Sequence, residues 1–137
     1  MEFSEGLTIL SPAEVSAVLA EAGRQHLPMF VLATDGRVDR ETFFHAVRET
    51  LPLDPPLAGT RSWDALSDSL WEGLRTLESP HVVIVWPDAV SPADGADEDF
   101  RIAQEVLRDI TESLTDPVTT SGTPKRVSVF IAVDPGP

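Results

Sequence analysis

The sequence predicts an α/β fold: a small three-stranded parallel sheet covered by helices, with an extra helix at the N-terminus. Short runs rich in β-branched and apolar residues recur at Met29–Ala33, Val82–Trp86 and Val127–Val133. The first two are unbroken and the third is interrupted only by Ser128, the pattern of strands buried on both faces. Segments with helical spacing of apolar residues separate them. Strands joined through helices imply a parallel sheet with right-handed crossovers.

Taken in order, Ser11-Pro12-Ala13-Glu14 opens the first helix. Serine can cap, proline suits the first helical position and the glutamate can close a capping box. Val15, Val18, Leu19 and Ala22 follow at helical spacing, and Gly23 is the expected stop. The first strand ends in the turn Asp35-Gly36. A second helix begins after Asp39 and carries Phe43, Phe44, Val47 and Leu51, until three prolines between Pro52 and Gly59 force a loop. A third helix runs from about Ser62 toward Ser79. The strand Val82–Trp86 is bounded by Pro87, and Asp88 to Asp99 reads as a solvated acidic loop. A fourth helix carries Phe100, Ile102, Ala103, Val106, Leu107, Ile110 and Leu114. Residues 1–27 read as an extension whose helix packs on the core, and 28–137 as the main domain.

Composition narrows the function. The chain has 137 residues, 42% of them hydrophobic, enough for one core. It has no cysteine, so no disulfide, thiolate metal site or cysteine nucleophile is available. The start, Met1-Glu2-Phe3-Ser4-Glu5, lacks the basic end and apolar middle of a secretory signal, so a cytoplasmic location is expected. The net charge of −13 argues against nucleic acid and anionic membranes. It leaves two readings: acidity that keeps the chain soluble, or a surface that attracts a cationic partner.

The third helix sharpens that choice. At about 100° per residue, Trp63, Leu66, Leu70, Leu74 and Leu77 form a narrow stripe that must face the core. Asp64 and Asp68, four apart, are neighbours on another face, with Ser67 and Trp71 beside them. Two carboxylates so placed repel by a few tenths of a kcal/mol. Asp64 gains from the helix dipole in the first turn, but Asp68 does not. A solvated acidic face explains the pair blandly. Trp71 bordering it has the character of an interface anchor, or of an aromatic at the core boundary.

The run Trp63-Asp64-Ala65-Leu66-Ser67-Asp68-Ser69-Leu70 resembles the binding-helix motif of the barstar family of barnase inhibitors, in which an Asp-Ala-Leu-Trp-Asp-x-Leu pattern presents two aspartates to a ribonuclease. Asp35-Gly36-Arg37-Val38 with the Phe43–Leu53 segment resembles that family's first strand, turn and helix. Pro80 to Trp86 resembles its Pro-x-x-x-x-x-Trp strand, and Leu107-Arg108-Asp109 its Phe-Arg-Glu. The likeness spans roughly Met29 to Val133. It implies a barstar-like fold and inhibition by occlusion: an intracellular protein that blocks the cationic active site of a secreted microbial, guanyl-specific ribonuclease or ribonuclease-type toxin. Carried over by position, the partner-binding residues are Gly59, Asp64, Ser67, Asp68, Trp71, Asp109 and Glu112. The chain departs from the pattern where Pro56-Leu57-Ala58 replace the family's tyrosines and Ser67 replaces the tryptophan between the aspartates. Those departures support an alternative, a barstar-like immunity or adaptor protein with a basic partner that is not a ribonuclease. Either way one copy suffices, and a monomer in a 1:1 complex is expected.

No catalytic constellation competes. His26, His45 and His81 each lack a second ligand or base at suitable spacing, and His45 is expected to face solvent. The cluster Asp94, Asp97, Glu98 and Asp99 lacks the ordered spacing of a calcium loop. Phosphate-loop, Gly-x-Ser-x-Gly and His-Glu-x-x-His motifs are absent. The chain therefore reads as a non-enzyme with no cofactor and no metal. Trp86 is expected in the core, with its indole N–H bonded.

Overall fold

The computed structural model describes residues 3, 5–54, 56–57, 62–90 and 98–134. Strands β1 (Gly6–Leu10), β2 (Met29–Val31), β3 (His81–Val90) and β4 (Arg126–Asp134) form one sheet in the order β1-β4-β3-β2, every pair parallel. The helices are α1 (Val15–Arg24), α2 (Arg40–Thr50), α3 (Trp63–Arg75) and α4 (Glu98–Thr115), with a short 3₁₀ turn at Pro12–Glu14 before α1. The mixed α/β class stands as expected, but the sheet has four strands rather than three. The strand missed is β1, which lies at an edge. Half covered, with Thr8 and Ile9 exposed, it lacks the long buried apolar run that marks β3 and β4.

The sheet is buried on both sides. Val82, Ile84 and Trp86 point to one face and Val83 and Val85 to the other, as strand alternation requires, and all five are fully buried. On the first face they meet Phe43, Val47, Leu66, Leu70, Leu74, Leu107 and Leu114 from α2, α3 and α4. On the second, Val83, Val85 and Phe130 meet Phe3, Val18 and Ala22. The N-terminal segment therefore adds the edge strand and covers the back face.

Local chemistry fixes the ends. Helix α1 runs through Gly23 and stops at His26, which takes the left-handed conformation (φ 54°). There the Leu27 N–H donates to the Ala22 carbonyl and the His26 N–H to the Gly23 carbonyl, the paired bonds of a Schellman closure. The expected stop at Gly23 is three residues early. Asp39 caps α2, accepting from the Thr42 N–H at 3.0 Å, and that bond holds its carboxyl below the ordinary carboxylate range. Asp35 (φ 54°) and Gly36 (φ 79°) form a turn with both central residues left-handed, the sign of a type I′ turn.

Two further expectations need correction at the far end of β3. The strand does not stop at Pro87 but continues to Val90 through a bulge between Trp86 and Ala89. Asp88 is thus not part of a solvated loop: its carboxylate accepts from the Thr34 N–H, the Thr34 hydroxyl and the Gly36 N–H. The Thr34 hydroxyl in turn accepts from the buried Trp86 indole at 2.9 Å, which supplies the expected partner. Asp94 and Asp97 of the acidic segment lie outside the described residues, while Asp99 accepts from the Arg40 N–H at the start of α2.

Helix α3 ends at Arg75, four residues before the expected Ser79. The turn beyond it is held by Lys125, whose ammonium donates to the carbonyls of Leu77 (2.7 Å) and Ser79, and burial lowers its pKa. Upstream, the chain closes directly on α3. The Asp54 N–H donates to the Ser69 carbonyl, and a Cβ on Gly73 would meet the Pro52 carbonyl oxygen at 2.1 Å. Gly73→Ala is therefore expected to destabilise the fold by about 1–3 kcal/mol, read by urea unfolding with an unchanged m-value.

His81 sits half-buried with its Nε2 2.9 Å from the Ser128 hydroxyl and its ring against Phe3. Burial pushes its pKa below the ordinary 6.5, Arg126 acts in the same direction and Glu5 opposes. The unfolded chain then binds this proton more readily, so the contribution of neutral His81 is complete above about pH 6.5 and lost as pH falls through the lower folded value. His26 and His45 are exposed. Urea midpoints measured from pH 7.5 to 5.5 are expected to fall, and His81→Gln to flatten that slope.

Candidate functional site

Helices α3 and α4 lie side by side on one face of the sheet, and the groove between them gathers most of the predicted residues. It is an open depression of about 350 Å³. Ser67, Asp68 and Trp71 form one wall, Asp109 and Ser113 the other, and the nearly buried Ile110 lines it between them.

Each wall follows from its own helix. Ser62 caps α3 by accepting from the Ala65 N–H, and Leu66, Leu70 and Leu74 are fully buried, as the apolar stripe requires. With that stripe fixed, Asp64 and Asp68 can only face outward, and both are exposed. Asp64 stands one turn beyond Asp68 and does not line the groove. On α4 the buried stripe of Phe100, Ala103, Val106, Leu107, Ile110 and Leu114 leaves Asp109 exposed on the side toward α3.

Trp71 resolves the choice between anchor and boundary residue toward a shared role. It is half-buried, and its indole N–H donates to the Ser113 hydroxyl at 2.9 Å, tying the two walls together. The Arg75 guanidinium stands 5.8 Å from its ring centroid while pairing with Glu72, which lowers the Glu72 carboxyl pKa. The remaining surface of the indole lines the groove.

Besides Asp64, Glu112 does not line this groove. Glu112 lines a separate groove with Arg108, Thr111 and residues 5–7. Three residues beyond Asp109, it stands about 60° from it around the helix and about 160° from the inward-facing Ile110, so it tops α4 between the two grooves. Gly59 lies outside the described residues. Sequence reasoning missed Ile110 and Ser113 as lining residues. Ser113, four residues after Asp109, was findable from helical spacing once Asp109 had been placed.

The electrostatics are one-sided. Asp64, Asp68 and Asp109 have no ion pair among the described residues, and the nearby Arg75 is engaged by Glu72. The result is a shallow groove with uncompensated carboxylates, two hydroxyls and an aromatic edge. Such a surface suits a guanidinium or ammonium, and carboxylates can answer arginine with paired hydrogen bonds. Among the described residues no group of acids, histidines or cysteines could hold a metal ion, and no helix is long and apolar enough to cross a membrane.

A family model described as Barstar (barnase inhibitor) matches residues 27–131. The chain belongs to the barstar family. The match begins just before β2 and ends within β4, so β1 and α1 of this barstar-family protein lie before the matched span. Comparisons with curated proteins and with solved structures gave no match. Within the family span fall α3, α4 and the whole groove between them.

The Asp64–Asp68 pair on α3 is mutually repulsive. Asp68→Asn is expected to stabilise the chain by a few tenths of a kcal/mol, more at low salt than at high, in paired denaturant titrations. A loss of stability would mean that Asp68 has a structural partner.

Proposed function

We propose that this barstar-family protein is a cytoplasmic, non-enzymatic inhibitor of a basic, secreted, guanyl-specific ribonuclease or ribonuclease-type toxin. The observation that carries the proposal is the groove with uncompensated Asp68 and Asp109 on facing helices, extended by Asp64 one turn away. A ribonuclease must hold phosphate with cationic and hydrogen-bonding groups. Carboxylates on a rigid helix can occupy the places of those phosphates and take their hydrogen bonds. Ser67 and the exposed part of Trp71 would complete the contact. The net charge of −13 draws a cationic partner in at long range, so the association rate should fall as salt rises.

A second reading rests on Ser67. Where the family pattern has a tryptophan between the aspartates, a serine leaves the groove wall low, and the chain has no tyrosine to build a flanking aromatic patch. That surface also fits a basic partner that is not a ribonuclease, with the chain acting as an immunity or adaptor protein.

Titrating the protein into a panel of secreted guanyl-specific ribonucleases, with RNA cleavage as the readout, separates the two. Inhibition at one chain per enzyme, weaker at higher salt, supports the first reading. Asp64→Ala with Asp68→Ala is expected to abolish inhibition while leaving the circular dichroism intact and the unfolding midpoint no lower. Full inhibition by that double variant would show that the interface lies elsewhere, and a panel that is never inhibited would favour the second reading.

A further inference from the structure

The sheet ends at β1, and the outer edge of that strand has no hydrogen-bonded partner among the described residues. Proteins normally protect such edges with charge, proline or a bulge. Gly6-Leu7-Thr8-Ile9-Leu10 has none of these: it is uncharged, and its register with β4 is regular. Ile9 is 52% exposed on this edge. Beside it runs a groove of about 540 Å³ lined by Glu5 just before β1, by Gly6 and Leu7 of β1 and by Arg108, Thr111, Glu112 and Thr115 of α4. Arg108 has no ion pair among the described residues. One flank of α4 thus offers one unpaired cation and one anion a single helical turn apart.

We propose that this edge takes a second copy of the chain, the two β1 strands pairing antiparallel about a two-fold axis at Thr8. Five residues centred on Thr8 then pair completely. Leu7 faces the partner's Ile9 and Thr8 faces the partner's Thr8, so apolar meets apolar and no like charges oppose each other within the strands. The axis also sets the two α4 flanks side by side and antiparallel. Arg108 is then directed toward the partner's Glu112, and Glu112 toward the partner's Arg108. A flank carrying one charge of each sign is self-complementary under such an operator, the requirement of an isologous interface. The product is a continuous eight-stranded sheet, each edge shielding the other.

This replaces the expectation of a monomer but not that of one enzyme per chain. Arg108, Thr111, Glu112 and Thr115 line the groove toward β1, whereas Asp109 and Ser113 line the groove toward α3, so the acidic groove stays open in the dimer. The net charge of −13 on each copy opposes association, so dimerisation should strengthen with salt, the reverse of the effect expected for a cationic partner.

The test is sedimentation equilibrium of the full chain over a concentration series at low and moderate salt, with no nuclease present. A mass approaching twice 14.9 kDa, more fully reached at moderate salt, is expected. Ile9→Lys should give a folded monomer. Arg108→Glu should weaken the dimer about tenfold, and Arg108→Glu with Glu112→Arg should restore it. Circular dichroism checks each variant, and if Ile9→Lys fails to fold the charge-reversal pair decides. A mass of 14.9 kDa under every condition, or a dimer indifferent to these changes, overturns the proposal. Because mass is read without an enzyme, its failure is separate from failure of the inhibitor reading.

Discussion

Strand β3 sits at the centre of everything else, because five consecutive side chains from Val82 to Trp86 are removed from water in two opposite directions. Burying them gives, at about 25 cal/mol per Å² of apolar area, a large share of the driving force for folding. It can be realised only if helices cover both faces. That single demand places α2, α3 and α4 together on one side and brings Phe3 and α1 to the other. With three helices sharing one face of a four-stranded sheet, α3 and α4 must run as neighbours. Their exposed flanks then meet to form a groove.

The groove illustrates a conflict between stability and use. Its carboxylates have no ion pair among the described residues, while other acids on the same molecule are used locally. Asp39 caps a helix, Asp88 organises a turn, Asp99 serves the start of α2 and Glu72 pairs with Arg75. This contrast separates structural acids from those left open to a partner more sharply than the net charge does. Uncompensated charge held on a rigid scaffold is what recognition of a cation calls for.

Much of this was legible in the sequence. The apolar stripe of α3 fixed the outward direction of Asp64 and Asp68, and β-branched runs located β3 and β4. The strand β1 was not legible, because an edge strand has no need of the unbroken apolar pattern. Asp88 looked like loop because strands rarely run through a proline, and a bulge made that possible here. Gly23 resembled a helix stop, but a histidine took the left-handed position instead. In the site, resemblance assigned Glu112 to the same surface as Asp109. The two are only about 60° apart around α4, yet Glu112 lines the groove toward β1 and Asp109 the groove toward α3. The contact of Trp71 with Ser113 joins residues 42 apart, and no local pattern announces it.

The close approach at Gly73 has a mechanical consequence. With the Pro52 carbonyl lodged where a side chain would stand and the Asp54 amide bonded to Ser69, residues 52–54 are held closely against α3. Lys125 clasps the turn that follows the C-terminus of the helix. A helix held at its middle and its C-terminal turn meets a ligand as a finished shape. Little motion remains to be frozen on contact, so association would proceed as rigid docking and lose little conformational entropy.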